Sequence, residues 1–279
     1  MKTILVATDL SPRSDRAVLR AAHLARESNA DLRIVHVIDD DVPAAVLQTR
    51  TEEAERLLSA MIADSALLTD LGPAVSVEAG HIERLLPRMT SEGGIDLLVL
   101  GSHRNRGLSE LLGAPTLSRL LRGVTVPVLI AIGRPEEAYA TVSVGWDFSP
   151  AGEAALTHAR AVAPTAEITL VNAWQEVATG APYAFETGGF LSTDAIDDMR
   201  SEMMRAAATH RGEASASLGA EVGIGPAAVV LRRRAETGEA DLLAMGRHAR
   251  AGLARLLLGS TAEDVALSAT CDVLIAPAI

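Results

Sequence analysis

Asp96-Leu97-Leu98-Val99-Leu100-Gly101-Ser102-His103 returns as Asp241-Leu242-Leu243-Ala244-Met245-Gly246-Arg247-His248, a shift of 241 − 96 = 145 residues. At the same shift, without a gap, Gly107-Leu108 pairs with Gly252-Leu253, Leu111-Leu112 with Leu256-Leu257, and Val128-Leu129-Ile130 with Val273-Leu274-Ile275. A second pair of passages opens each half: Ile4-Leu5-Val6-Ala7-Thr8-Asp9-Leu10-Ser11-Pro12 and Val142-Ser143-Val144-Gly145-Trp146-Asp147-Phe148-Ser149-Pro150, offset by 147 − 9 = 138. The drift from 138 to 145 places insertions between the matched blocks. A period this long is a whole domain, since solenoid units run to roughly 20 to 50 residues. The chain is a duplicated domain, read here as residues 1–136 and 137–279.

Its 279 residues allow two cores, because about 140 residues is a comfortable domain size. Met1-Lys2-Thr3 leads into a strand-like segment rather than a signal sequence, and the single cysteine, Cys271, can form no internal disulfide; a reducing cytoplasm is the expected location. No apolar run approaches the roughly 18 residues of a membrane span. The net charge of −11 argues against a nucleic-acid or anionic-membrane surface, which needs a positive stripe. Arg232-Arg233-Arg234 reads as solvated charge on a helix. Aromatic residues at 3% leave no stacking platform for bases.

Strands are expected at Ile4 to Ala7, Leu32 to Val37, Val75 to Val77, Leu97 to Leu100 and Val126 to Ile132, continuous β-branched runs typical of strands buried on both faces. Between them, Thr51 to Leu68 puts Ala54, Leu57, Leu58, Met61, Ile62 and Ser65 on one helical stripe, with Thr49 and Glu52 as a capping box. Its counterpart, from about Ser192 to His210, turns Ile196, Met199, Met203 and Ala207 inward as core filler. Alternating strand and helix predicts a doubly wound, mostly parallel sheet in each half. Ligands of such sheets bind at the carboxyl ends of the strands. Gly133 to Glu137 reads as the linker. Gln175 to Leu191 reads as a long loop, either a lid or plain disorder.

Two features can carry chemistry. Asp9 and Asp147 follow the first strand of each half, two residues before a Ser-Pro that suits a helix N-terminus; each aspartate can serve as a capping group or accept hydrogen bonds from a ribose or adenine. After the fourth strand of the second half comes Gly246-x-x-Ala249, nine residues, then Gly259-Ser260-Thr261. Glycine lets a ligand approach the backbone, and Ser-Thr opening a helix offers N–H groups and hydroxyls to an anion. His103 and His248 recur at one position and read as turn histidines, the remaining histidines show no pattern, and no metal-ligand spacing stands out. A nucleophile elbow, a Walker sequence and a paired-carboxylate arrangement are all absent from the sequence.

These motifs together resemble the universal stress proteins: a first strand ending in Asp-x-Ser, a fourth ending in Asp-Leu-Leu-x-x-Gly, and G-x2-G-x9-G-[S/T]. The resemblance spans both halves and implies a tandem member. It further implies a five-stranded parallel sheet per domain and a pseudo-dimer of the halves through their last strands, with association into a homodimer open. In the nucleotide-binding subgroup it implies ATP, with Mg2+ on its phosphates, held at positions that fall on Asp147, Ala173, Gly246, Ala249, Gly259, Ser260 and Thr261. Trp146 is a neighbour for the base or a core residue.

The first-half counterparts are Asp9, Val37 and Gly101. There Arg104, Ala114 and Pro115 replace pattern residues, and proline removes both an N–H and a hydroxyl. The first site is therefore expected to be degenerate, and Ala249 to weaken the second. A non-catalytic adenine-nucleotide-binding regulator that signals to a protein partner is the leading expectation. A nucleotide-free interaction scaffold is the alternative.

Overall fold

The computed structural model of the protein describes residues 1–102, 114–174, 193–208, 217–247 and 259–277. The first half runs β1 (Thr3–Thr8), α1 (Pro12–Ser28), β2 (Asp31–Ile38), α2 (Ala44–Ala63), α3 (Ala66–Leu71), β3 (Ala74–Ala79), α4 (Ile82–Glu92), β4 (Leu97–Gly101), α5 (Ala114–Gly123) and β5 (Val128–Ala131). The second repeats the plan as β6 (Thr141–Gly145), α6 (Pro150–Val162), β7 (Glu167–Trp174), α7 (Thr193–Ala208), β8 (Leu218–Ile224), α8 (Ala227–Glu236), β9 (Leu242–Gly246), α9 (Ser260–Ser268) and β10 (Asp272–Ala276).

All ten strands form one sheet, in the order β3-β2-β1-β4-β5-β10-β9-β6-β7-β8. Neighbours within each half are parallel. The one antiparallel pair is β5 with β10, in the register Ile130 to Val273, Leu129 to Leu274 and Val128 to Ile275. Thus the terminal strands join the halves to each other, as the resemblance implies. Their edges are consumed within the chain, and the strands left at the sheet's edges are β3 and β8.

Alternation along each strand sends successive side chains to opposite faces. Ile4 and Val6 of β1 pack in one apolar layer with α1 and α6, while Leu5 and Ala7 pack in the other with α4 and α5. Both layers run across both halves. Burial on both faces explains why the strand sequences lack polar alternation. No described helix is long and apolar enough to cross a membrane.

Several details differ from expectation. The helix expected at Thr51 to Leu68 is two helices: α2 ends at Ala63, and Ser65 caps α3 by accepting the Leu68 N–H at 3.4 Å. Thr49 caps nothing, because α2 already begins at Ala44 and the Thr49 hydroxyl donates to the Ala45 carbonyl at 3.0 Å. Ala54 and Leu58 are buried as expected, but Leu57 is 45% exposed. In α7, Met203 and Ala207 are fully buried, with Met199 packed against them.

Arg232-Arg233-Arg234 is not uniformly solvated. Arg234 turns inward from α8, donates from Nε to the Ser143 hydroxyl at 2.7 Å, and pairs with Glu221 and Glu239. Arg232 pairs with Asp264 of α9 at 3.2 Å. His103, Arg104, His248, Ala249 and the Gln175 to Leu191 segment lie outside the described residues.

Candidate functional site

The two aspartates stand on matching turns. Ser11 and Ser149 cap α1 and α6, each accepting the N–H three residues on, with Pro12 and Pro150 in the first turn. Asp9 and Asp147 each accept the N–H of that capping serine, at 3.0 and 3.1 Å. Between aspartate and serine sits a residue with left-handed backbone, Leu10 at φ 61° and Phe148 at φ 60°. That conformation costs a non-glycine residue roughly 1 to 2 kcal/mol, and such strain collects at functional turns. Neither residue is of a type that advertises positive φ, so no sequence signal announced it.

A second tie also went unread. In each half a polar side chain of the second strand grips the carbonyl of the residue before the aspartate. Asn172 donates to the Trp146 carbonyl at 2.8 Å, and His36 Nδ1 lies 2.8 Å from the Thr8 carbonyl. A carbonyl only accepts, so Nδ1 carries the proton. The signal was present as a polar residue near the carboxyl end of each apolar strand.

The two aspartates differ in setting. Burial pushes the Asp9 carboxyl up, but hydrogen bonds from Ser11 and Ser14 outweigh it and hold the group below the ordinary aspartate value. Asp147 is exposed and faces a cavity of about 430 Å³ at the carboxyl ends of β6, β7 and β9. That cavity also meets Ala173, Gly246, Gly259, Ser260 and Thr261, so six of the seven second-half positions line one space; the seventh, Ala249, is outside the described residues. Val171, Leu231 and Met245 supply an apolar wall. Among the described lining residues Asp147 carries the only charge.

Gly259 is the N-cap of α9 at φ −58°, ψ 143°, and contributes no capping side chain. The first-turn N–H groups of a helix have no intrahelical acceptor, and the dipole favours an anion there. Gly246 has another reason to be glycine: a Cβ there would lie 2.1 Å from the Ala151 carbonyl oxygen. Its smallness lets α6 approach β9. Trp146 is 2% exposed and belongs to the apolar layer with α6 and α7, whereas the wall residues Leu231 and Met245 belong to the opposite layer. Trp146 is thus a core residue that also borders the cavity.

The first half is arranged differently. Val37 lines a cavity of about 300 Å³ with Asp39, Gly80, His81, Ile82, Glu83, Thr116 and Arg119. Asp9 and Gly101 are not on its wall, although the register sets Val37, Asp9 and Gly101 at the carboxyl ends of the adjacent strands β2, β1 and β4. Its carboxylates, Asp39 and Glu83, repel phosphate, and Glu83 already engages Arg119 at 3.2 Å. His81, for which no pattern was expected, stands within 4.0 Å of Asp39, Asp40 and Asp41 on the exposed rim.

The halves touch beside the second cavity. Arg247, next to Gly246, reaches across to the carbonyls of Leu121 and Val124 at the end of α5. Ser118 of α5 donates to Glu263 in the first turn of α9.

Comparison with known proteins agrees with this duplicated architecture. The profile of the Universal stress protein family matches twice, over residues 1–131 and 138–277. A universal stress protein of Mycolicibacterium smegmatis is 28% identical over 98% of this chain and 96% of its own length. Universal stress protein A homolog 1 of Coxiella burnetii is 33% identical over 40% of this chain and 84% of its own. The crystal structure of a universal stress protein from Archaeoglobus fulgidus superposes with a TM-score of 0.71 at 20% identity, covering 99% of this chain and 98% of that one. The chain belongs to the universal stress protein family, as a tandem of two such units with a stress-response role of that kind.

Proposed function

We propose that the second half binds an adenine nucleotide, ATP in the first instance, and that the protein acts as a non-catalytic regulator whose bound state a partner senses. The observation that carries this reading is the gathering of Asp147, Ala173, Gly246, Gly259, Ser260 and Thr261 around one cavity. The Asp147 carboxylate can accept hydrogen bonds from a ribose, the β7 backbone at Ala173 can meet the base, and the α9 N-terminus can take phosphate. Magnesium, if it accompanies ATP, would ride on the phosphates, because one carboxylate makes no dedicated cage. Our reading leaves the first half without nucleotide, since its cavity offers carboxylates in place of a helix-borne glycine loop.

Isothermal titration of the full chain with ATP tests this. One equivalent is expected, with binding lost in Asp147→Ala and in Gly259→Pro. Proline suits the second position: Pro43 and Pro226 already serve as N-caps at φ −56°, ψ 144° and φ −60°, ψ 133°, close to the values of Gly259. The helix is thus expected to survive while the residue 259 N–H is removed. Unchanged affinity in both variants, or no binding by the wild type, would overturn the assignment.

A further inference from the structure

One buried polar cluster joins the halves. Asp272, with no exposure at the start of β10, accepts the N–H groups of Ile132 and Gly133 at Oδ1, both at 2.6 Å, and the Tyr139 hydroxyl at Oδ2, at 2.5 Å. Arg20 of α1, 4% exposed, sets its Nε 2.9 Å from the same Oδ2, off the N–H axis, so this contact is an ion pair rather than an aligned hydrogen bond. Its guanidinium lies 4.4 Å over the Tyr139 ring and donates to the carbonyls of Glu137 and Arg134 at 2.6 and 2.5 Å. Buried ion pairs are weak devices for stability, because desolvation opposes the attraction. Their better-attested use is to select one pairing over another.

The repeat shows which pairing. By the shifts of 145 and 138 residues, Asp272 corresponds to Pro127, Ile132 to Pro277, Gly133 to Ala278, Arg20 to His158 and Tyr139 to Met1. No side chain of the cluster is duplicated, and of its two N–H donors to Asp272 only that of Gly133 has a counterpart, on Ala278. Yet the β5 and β10 pairing is itself nearly symmetric, since Leu129 faces its own counterpart Leu274. Backbone geometry alone would therefore also admit β10 against the β10 of a second copy, or β5 against β5.

We propose that the cluster is a pairing code, which makes the edge of the first half fit the edge of the second and reject its own kind. With β10 on β10, Asp272 would meet Pro277, which has no N–H, and no arginine, so two buried carboxylates, each keeping only the Tyr139 hydroxyl of its own half among these side chains, would lack a countercharge. With β5 on β5, Arg20 and the N–H groups of Ile132 and Gly133 would face Pro127, which carries no carboxylate. Only the mixed pairing sets the Asp272 carboxylate against Arg20 and the Ile132 N–H. Selectivity of this sort rests on penalties against the wrong partner as much as on attraction to the right one.

The test uses the full chain with a protease site inserted between Pro135 and Glu136, cleaved after folding. Isotopically light and heavy cleaved samples are mixed and followed by native mass spectrometry. Every pair is expected to contain one first and one second half, with like-half pairs at least tenfold rarer, a difference of about 1.4 kcal/mol. Like-half pairs at comparable abundance, or separation into single halves, would overturn the proposal. In Arg20→Met/Asp272→Asn the like-half pairs should rise at least tenfold, and an unchanged distribution would show that the code lies elsewhere. If that variant fails to fold, the wild-type distribution still decides.

Discussion

At Gly246 a single hydrogen atom decides how closely helix and sheet can meet. A methyl group there would sit 2.1 Å from the Ala151 carbonyl, against 3.3 Å from Ser14 Cα at the matching Gly101. Gly246→Ala should therefore destabilise the protein by about 1 to 3 kcal/mol, the usual cost of overpacking, and Gly101→Ala by less; urea denaturation would check both. The same glycine reads in the sequence as a ligand contact, and only the structure shows that packing already demands it. Asp9 gives a pH prediction. Its folded carboxyl titrates below the ordinary value, so its contribution is complete above the unfolded value of about 3.9 and is lost as pH falls through the folded one. Asp9→Asn should flatten that part of an acid-denaturation curve, and an unaltered acid limb would refute the linkage.

Among the elements, α1 shows most clearly why a local sequence folds as it does. Ser11 and Ser14 cap one another reciprocally, Pro12 sets the first turn, and Asn29 closes the helix in the left-handed conformation at φ 50°. Ser11→Ala should cost about 1 kcal/mol, measurable as a shift in the denaturation midpoint. The α2 segment shows the reverse. Its apolar stripe was legible, but its start was not, because Pro43 begins the helix without any side-chain cap. The capping pattern at Thr49 and Glu52 lay inside a helix that had already begun after Pro43.

For the whole molecule, the ten strands form a single sheet whose midline is the β5 and β10 pair. The buried Arg20 and Asp272 pair spans that midline. Arg20→Met leaves a buried carboxylate without its countercharge and should cost roughly 3 to 5 kcal/mol. Calorimetry would detect this as a lowered unfolding temperature for the molecule, and an unchanged one would mean that the pair is dispensable. The buried thiol of Cys271, pushed up to about 12 chiefly by desolvation, adjoins the same cluster.

By itself the sequence determined the duplication and the alternation of strand and helix in each half, because strands buried on both faces are written as uninterrupted apolar runs that repeat at a fixed shift. It also singled out six described residues that the fold gathers around one cavity. The tertiary structure alone decided the left-handed turns at Leu10 and Phe148 and the grip of His36 and Asn172 on the backbone. It alone decided the burial of Arg20 with Asp272, residues far apart in the chain. Their pairing depends on which surfaces meet across the sheet, and local pattern carries no record of that.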